Sequence, residues 1–61
     1  MKNIEIIFVN NTAVITETTE TEFTVRRMKA VSALVWMSRQ GKKWVWDKTE
    51  DGLERATWSR G

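Results

Sequence analysis

Cysteine and histidine are both absent from this 61-residue chain, which limits how so short a chain can hold a fold. Small domains often need disulfides or a structural metal, because a small apolar core offsets little more than the lost conformational entropy. Without Cys and His, disulfides, zinc sites and iron–sulfur clusters are excluded. We therefore expect one domain, residues 1–61, held by its large aromatic side chains, four of them Trp, or by self-association.

Residues 4–9 and 12–17 predict a first β-hairpin. Both segments are rich in Ile, Val or Thr, and the Asn-Asn pair between them favours a turn, since Asn tolerates positive φ. A two-residue turn sets Ile7 opposite Val14. The face that carries Ile7, Val9 and Val14 is too apolar for full exposure. We expect it to be half-covered or to form the interface of a homodimer.

A helix is predicted from Thr24, as the N-cap, to about Gln40, with Gly41 as a left-handed C-cap. Arg26 and Arg27 then lie at the positive end of the helix dipole, where cations are unfavourable. We find no structural reason for them there.

The spacing of about 100° per residue divides this helix into two faces. Trp36 lies on the polar side, close to Lys29 and Arg26, where a large aromatic residue is unusual. Either other segments cover it or it contacts a partner. The face expected to pack against the sheet consists of Met28, Val31, Leu34, Val35 and Ser38.

The last third of the chain predicts a second hairpin around the turn 49–52. Gly52 at the end of a type I turn is typical of a hairpin with a G1 bulge. The resulting register sets Asp47 opposite Arg55, which is a favourable pair of opposite charges. It also sets Trp46 opposite Ala56. Three Trp then share one face, and we expect them to belong to the core: Trp44, Trp46 and Trp58.

The predicted fold is α+β with the order β-β-α-β-β: a small antiparallel sheet of two hairpins, with one helix packed across one face. The strand order is not determined by the pattern. The two hairpins can lie side by side in one sheet or pair across a dimer.

Catalysis is not expected, because the usual general base and the usual thiol nucleophile are both missing. No glycine-rich phosphate loop is present, and no cofactor or metal is expected. The N-terminal segment lacks the features of a signal peptide, and no apolar run reaches the roughly 18 residues of a membrane span. We therefore expect a cytoplasmic protein that makes no membrane contact.

The charge is unevenly distributed. Residues 1–24 carry one Lys and four Glu, whereas residues 25–61 carry nine basic and four acidic side chains. Such asymmetry is typical of proteins with an anionic partner, although two oppositely charged parts can also share one soluble surface. The predicted contacts on the basic helix face and just beyond it are Arg26, Arg27, Lys29, Trp36, Arg39, Lys42 and Lys43.

Two functions fit this surface. The first is a non-catalytic regulatory protein that docks the basic, Trp-containing helix face on an anionic macromolecule, with nucleic acid marginally favoured. The second is a protein-binding inhibitor or antitoxin-like module that blocks a target through an acidic protein surface. Zinc-finger spacing, RNP-type strings and GXXG loops are all missing, which weakens the first. The short chain suits a bacterial or phage accessory protein.

Overall fold

A computed structural model describes residues 1–60 and contains five strands and one helix. Gly61 lies outside the described residues. The elements are β1 (Lys2–Val9), β2 (Thr12–Thr19), β3 (Phe23–Lys29), α1 (Ala30–Gln40), β4 (Val45–Lys48) and β5 (Glu54–Arg60).

The five strands form one antiparallel sheet in the order β3-β2-β1-β5-β4. The helix packs across one face, called here the covered face, and leaves the other as the open face. The predicted α+β class, with one helix over a small antiparallel sheet, is confirmed. The two predicted hairpins lie side by side, since β1 pairs with β5.

The first hairpin has the predicted turn and register. Asn10 and Asn11 have φ angles of 48° and 62°, which Asn tolerates better than other non-glycine residues. Ile7 pairs with Val14, as the two-residue turn requires. Local turn chemistry therefore fixes which side chains of β1 and β2 share a face of the sheet.

The first correction concerns residues 23–29, which form β3 instead of the start of the helix. The chain turns back after Thr19, whose backbone N–H donates to the carbonyl of Glu22 at 2.9 Å. The Thr19 hydroxyl also accepts the N–H of Glu22 at 3.0 Å. Phe23 and Val25 have high strand propensity, and β2 offers them a paired neighbour. Tertiary pairing therefore prevails over the helical pattern here.

The helix begins at Ala30, so the predicted N-cap at Thr24 is wrong. Lys29 occupies the N-cap position with extended backbone and no capping hydrogen bond from its side chain. The N–H of Ala30 instead donates to the carbonyl of Asn11 at 2.8 Å, which ties the start of the helix to the first turn. At the other end Gly41 has φ of 64°, and the predicted left-handed C-cap is confirmed.

The second correction concerns the side of the helix that is buried. Ala33 and Met37 are buried, and Trp36 packs against the core. The predicted core face is wrong for its four helical members, which are exposed, whereas Met28 packs against the core from β3. In residues 30–37 only Ser32 is polar, so the sequence pattern hardly indicates which side of the helix faces the sheet. The exposed members are Val31, Leu34, Val35 and Ser38.

The core lies between the helix and the central strands. Small side chains at Ala33, Ala13 and Ala56 let the helix lie close to the sheet, and branched side chains fill the remaining space. Half-buried aromatic residues and methionine close its margin. The fully or nearly fully buried residues are Ile4, Ile6, Ala13, Ile15, Ala33, Met37 and Ala56.

The second hairpin also has the predicted register, with Asp47 opposite Arg55 and Trp46 opposite Ala56. Gly52 has φ of 82°, and its N–H donates to the carbonyl of Thr49 at 2.9 Å. The prediction of a Trp-rich core is confirmed for two of the three residues, Trp44 and Trp58, which pack against the core. Trp46, by contrast, is 50% exposed.

Candidate binding surfaces

The seven residues predicted as contacts on the basic helix face and just beyond it do not form one surface on the helix. Arg26, Arg27 and Lys29 belong to β3, and only Trp36 and Arg39 belong to the helix. Successive residues of a strand point to opposite faces, so Arg26 and Arg27 lie on opposite sides of the sheet. The predicted helix face is therefore wrong as a surface. A binding role for its individual residues stays a prediction.

Arg26 and Trp36 form a local contact on the covered face. The guanidinium carbon of Arg26 lies 5.3 Å from the centroid of the Trp36 ring, and Nη2 lies 3.8 Å from Oε2 of Glu17. Trp36 in turn packs against Trp44, with ring centroids 6.1 Å apart. A cation over an aromatic ring stabilises the pair. The same contact covers part of the indole of Trp36, which the sequence predicts as a contact for a partner.

The basic residues around the C-terminal end of the helix form a second group, made of Arg39, Lys42 and Lys43. Arg39 lies in the last turn, where a cation complements the negative end of the helix dipole. Lys42 is half-buried, and its Nζ lies 4.2 Å from the ring centroid of Trp58. Lys43 is exposed. Part of this group therefore supports the fold by covering Trp58.

The side of the helix that faces away from the sheet is aliphatic. Val31 is 73% exposed, Leu34 49% and Val35 46%. Residues three and four apart are neighbours on a helix surface, so the three side chains are contiguous. We call Val31, Leu34 and Val35 the outer helix face. Exposed apolar groups of this kind are typical of interaction surfaces on small proteins.

A shallow groove adjoins the outer helix face at Leu34. Phe8 and Trp46 stack on its floor, with ring centroids 5.6 Å apart and an interplanar angle of 21°. Its volume of about 280 Å³ is just below the range of small-ligand pockets, which suits a single large side chain of a partner. We call it the Trp46 groove, and its lining residues are Phe8, Val9, Asn10, Asn11, Ala30, Leu34, Trp46 and Glu54.

The open face carries a chain of ion pairs across three strands. Arg55 donates to Asp47 through Nε at 2.9 Å and through Nη2 at 2.7 Å. These hydrogen bonds, and the positive charge of Arg55, hold the pKa of Asp47 below its ordinary value. Nη1 of Arg55 also lies 3.9 Å from Oε2 of Glu5. The pairs are exposed and organise the surface more than they stabilise it.

Ile7, Val9 and Val14 share the open face and are half-buried, as the sequence predicts. Arg55 pairs with Ile7, and Arg27 pairs with Val14 on the other side. Long Arg side chains can cover neighbouring apolar surface with their methylene groups. A homodimer through this face stays a prediction.

Within residues 1–60, no three acidic, Cys or His side chains lie together as a metal site would require. No helix in the same range is long and apolar enough to cross a membrane. Comparison with protein-family models, with curated proteins and with solved structures found no match to this chain. The surfaces themselves are therefore the basis for the functional argument.

Three exposed features of the fold do not follow from the sequence pattern: the outer helix face, the side chain of Trp46, and the apolar residues of β3. The residues of the outer helix face were expected in the core, and Trp46 was too. Phe23 and Val25, which are 67% and 53% exposed on β3, were expected before and inside a helix. The sequence nevertheless contains one signal for this strand, because Phe23, Thr24 and Val25 are all residue types that favour strands.

Proposed function

We propose that this protein is a non-catalytic binding module that docks on another protein through the outer helix face and the Trp46 groove. The observation that supports this most is the exposure of three contiguous aliphatic side chains on a helix. A helix laid against a partner through residues spaced by three and four is a common mode of protein recognition. A cytoplasmic location is part of the proposal.

The charges around this surface indicate which charge a complementary partner carries. The helix carries Arg39 and no acidic residue, and Lys42 and Lys43 follow its C-cap, Gly41. A partner that is apolar at its centre and acidic toward the C-terminal end of the helix is therefore complementary. This is the chemistry of a small inhibitor or antitoxin-like module acting on a target protein.

Nucleic acid is the second candidate, and the cations Arg39, Lys42 and Lys43 support it. The aromatic residues support it less. Trp36 and Trp58 each lie under a cation and Trp44 packs against the core, which leaves the partly exposed Trp46 for stacking on a base. Single-strand binding depends on free aromatic faces in a basic groove. Aliphatic side chains on the outer helix face offer a base no such contact.

A site-specific photo-cross-linker distinguishes the two candidates. We would place it at Val35 and, as a matched control, at Val45, which is 62% exposed on the open face. Extract from the source cells would be cross-linked with and without nuclease. We expect position 35 to capture one protein whether or not nuclease is added. A nuclease-sensitive product would instead favour nucleic acid, whose binding falls steeply with salt.

The captured protein would then be purified and its affinity measured directly. The double variant Val31→Ser/Val35→Ser should bind at least about tenfold more weakly. Burying a Val side chain contributes about 1.5–3 kcal/mol, and about 1.4 kcal/mol is tenfold in affinity. Val45→Ser should bind like the unchanged protein. Circular dichroism would check that all three fold alike. Equal affinity of the double variant and the unchanged protein would remove the helix face from the proposal.

A further inference from the structure

The backbone of β3 is unpaired along its outer edge. In an antiparallel ladder, hydrogen-bonded and non-hydrogen-bonded residue pairs alternate. The bond from Ala30 N–H to the Asn11 carbonyl makes that pair a hydrogen-bonded one, so Met28, Arg26 and Thr24 bond to β2 in the same way. The alternate residues must then direct their N–H and C=O groups outward. These are Phe23, Val25 and Arg27, together with the N–H of Lys29, which is the N-cap residue of the helix.

This edge is also the longer of the two in the sheet. β3 has seven residues, whereas the opposite edge strand, β4, has four. Proteins usually block an exposed edge with proline, a bulge or a covering segment. β3 contains no proline, its register with β2 is continuous, and Phe23 and Val25 are exposed. Its cations are the one blocking device it has.

Those cations determine what can pair with the edge. β3 carries Arg26, Arg27 and Lys29 and no acidic residue. Arg26 faces Glu17 and Trp36, but Arg27 and Lys29 form no ion pair within residues 1–60. A second copy of β3 would double the positive charge at the junction, which is unfavourable. An acidic strand would neutralise it.

We propose that β3 accepts an extended acidic segment of a partner protein as a sixth, antiparallel strand. Opposite Lys29 and Arg27 the segment carries acidic side chains, and opposite Val25 and Phe23 it carries apolar ones, all on the open face. From its N-terminus the segment is therefore acidic-x-acidic-x-apolar-x-apolar. Main-chain hydrogen bonds give such added strands their affinity, and the alternate side chains give specificity. This site is separate from the outer helix face.

A synthetic peptide tests the proposal without knowledge of the natural partner. The peptide Ser-Glu-Thr-Glu-Thr-Val-Thr-Phe-Ser has the required alternation, and a scrambled peptide of the same composition is its control. Binding would be followed through the backbone amide signals of the ¹⁵N-labelled protein. We expect the peptide to shift the amides of β3 and to slow hydrogen exchange at Phe23, Val25 and Arg27. The scrambled peptide should do neither.

Charge reversal supplies the matched variants. Arg27→Glu should weaken peptide binding about tenfold or more at low salt, because it places like charges directly opposite each other. Arg39→Glu makes the same change of charge on the helix and should leave the affinity unchanged. A peptide with Lys in place of its two Glu residues should bind more tightly to the Arg27→Glu variant than to the unchanged protein.

Four results would overturn the proposal. If the scrambled peptide bound as tightly as the designed one, the binding would be simple charge attraction. The same would follow if Arg39→Glu lost as much affinity for the peptide as Arg27→Glu. Unchanged affinity of a peptide N-methylated at the residues that face β3 would exclude a backbone ladder. Concentration-dependent dimerisation that protects the β3 amides without peptide would assign the edge to a second copy. Failure here leaves the helix-face proposal intact, since its variants lie on another surface.

Discussion

Met37→Ala and Val31→Ala are expected to differ sharply, because the two side chains lie on opposite sides of the helix. Met37 is 4% exposed and Val31 is 73% exposed. Truncation of Met37 removes the Cγ, Sδ and Cε atoms from the core. At about 0.8 kcal/mol for each buried methylene-sized group, the transfer loss is about 2 kcal/mol. The space left behind adds to it, and Met→Ala in cores costs about 2–5 kcal/mol.

That loss is large for so small a protein. At 0.05–0.15 kcal/mol per residue, a chain of 61 residues has a free energy of unfolding of about 3–9 kcal/mol. At about 8 °C per kcal/mol for a domain of this size, Met37→Ala should therefore lower the melting temperature by about 15–40 °C. Val31→Ala removes exposed surface and improves helix propensity, so its effect should lie within about 0.5 kcal/mol of zero.

Urea unfolding followed by Trp fluorescence would measure both effects, since Trp36, Trp44 and Trp58 pack against the core. Met37→Leu is the control for Met37→Ala, because a volume-conserving change should cost less than about 1.5 kcal/mol. If Val31→Ala proved as costly as Met37→Ala, the helix would bury the face that the sequence pattern predicts. The outer helix face would then be core, and the proposed docking surface would not exist.

Two further results are expected. Arg26→Ala should uncover the Trp36 indole, shift its fluorescence to longer wavelength and cost about 0.5–1 kcal/mol, whereas Arg27→Ala on the other face should leave the emission unchanged. Because Arg55 lowers the pKa of Asp47, this carboxylate stabilises the fold above the ordinary pKa of 3.8, and the contribution is lost as pH falls through the lower pKa of the folded state. Melting curves of the unchanged protein and Asp47→Asn should therefore differ near neutral pH and converge in acid, and identical curves at neutral pH would contradict this.

The hairpins could be predicted from sequence because their registers depend on local turn chemistry. The Asn10-Asn11 turn needs two residues that tolerate positive φ, and Gly52 supplies the same tolerance in the second turn. Once a two-residue turn is placed, every pairing along the two strands follows from it. The α+β class followed in turn from two hairpins and one helical segment.

The boundary between β3 and the helix could not be predicted in the same way. Thr24 is a suitable N-cap and Met28 continues the apolar spacing of the helix, so residues 23–29 resemble its first turns in sequence. Their pairing with β2 makes them a strand instead. One clue was nevertheless visible. Arg26 and Arg27 are unfavourable at the N-terminus of a helix, and the conflict disappears because they do not lie in one.

The orientation of the helix depends on packing that sequence periodicity does not contain. The segment is apolar nearly all round, so two alternative faces are about equally suited to burial. The face with Ala33 is buried because small side chains there and at Ala13 allow the helix to approach β2 closely. The candidate site differs from the prediction as well. The basic residues are continuous in sequence, but in the fold they lie in separate groups on the two faces of the sheet.

The pairing of β1 with β5 has a consequence for the order of folding. Every other strand pair in the sheet joins neighbours in sequence, whereas this pair joins the two ends of the described chain. Closing so long a loop costs more entropy than forming a hairpin, and non-local pairings slow folding. The three-stranded meander of β1 to β3 and the hairpin of β4 and β5 are therefore natural early units. Their joining along β1 and β5 is the step that should limit the rate.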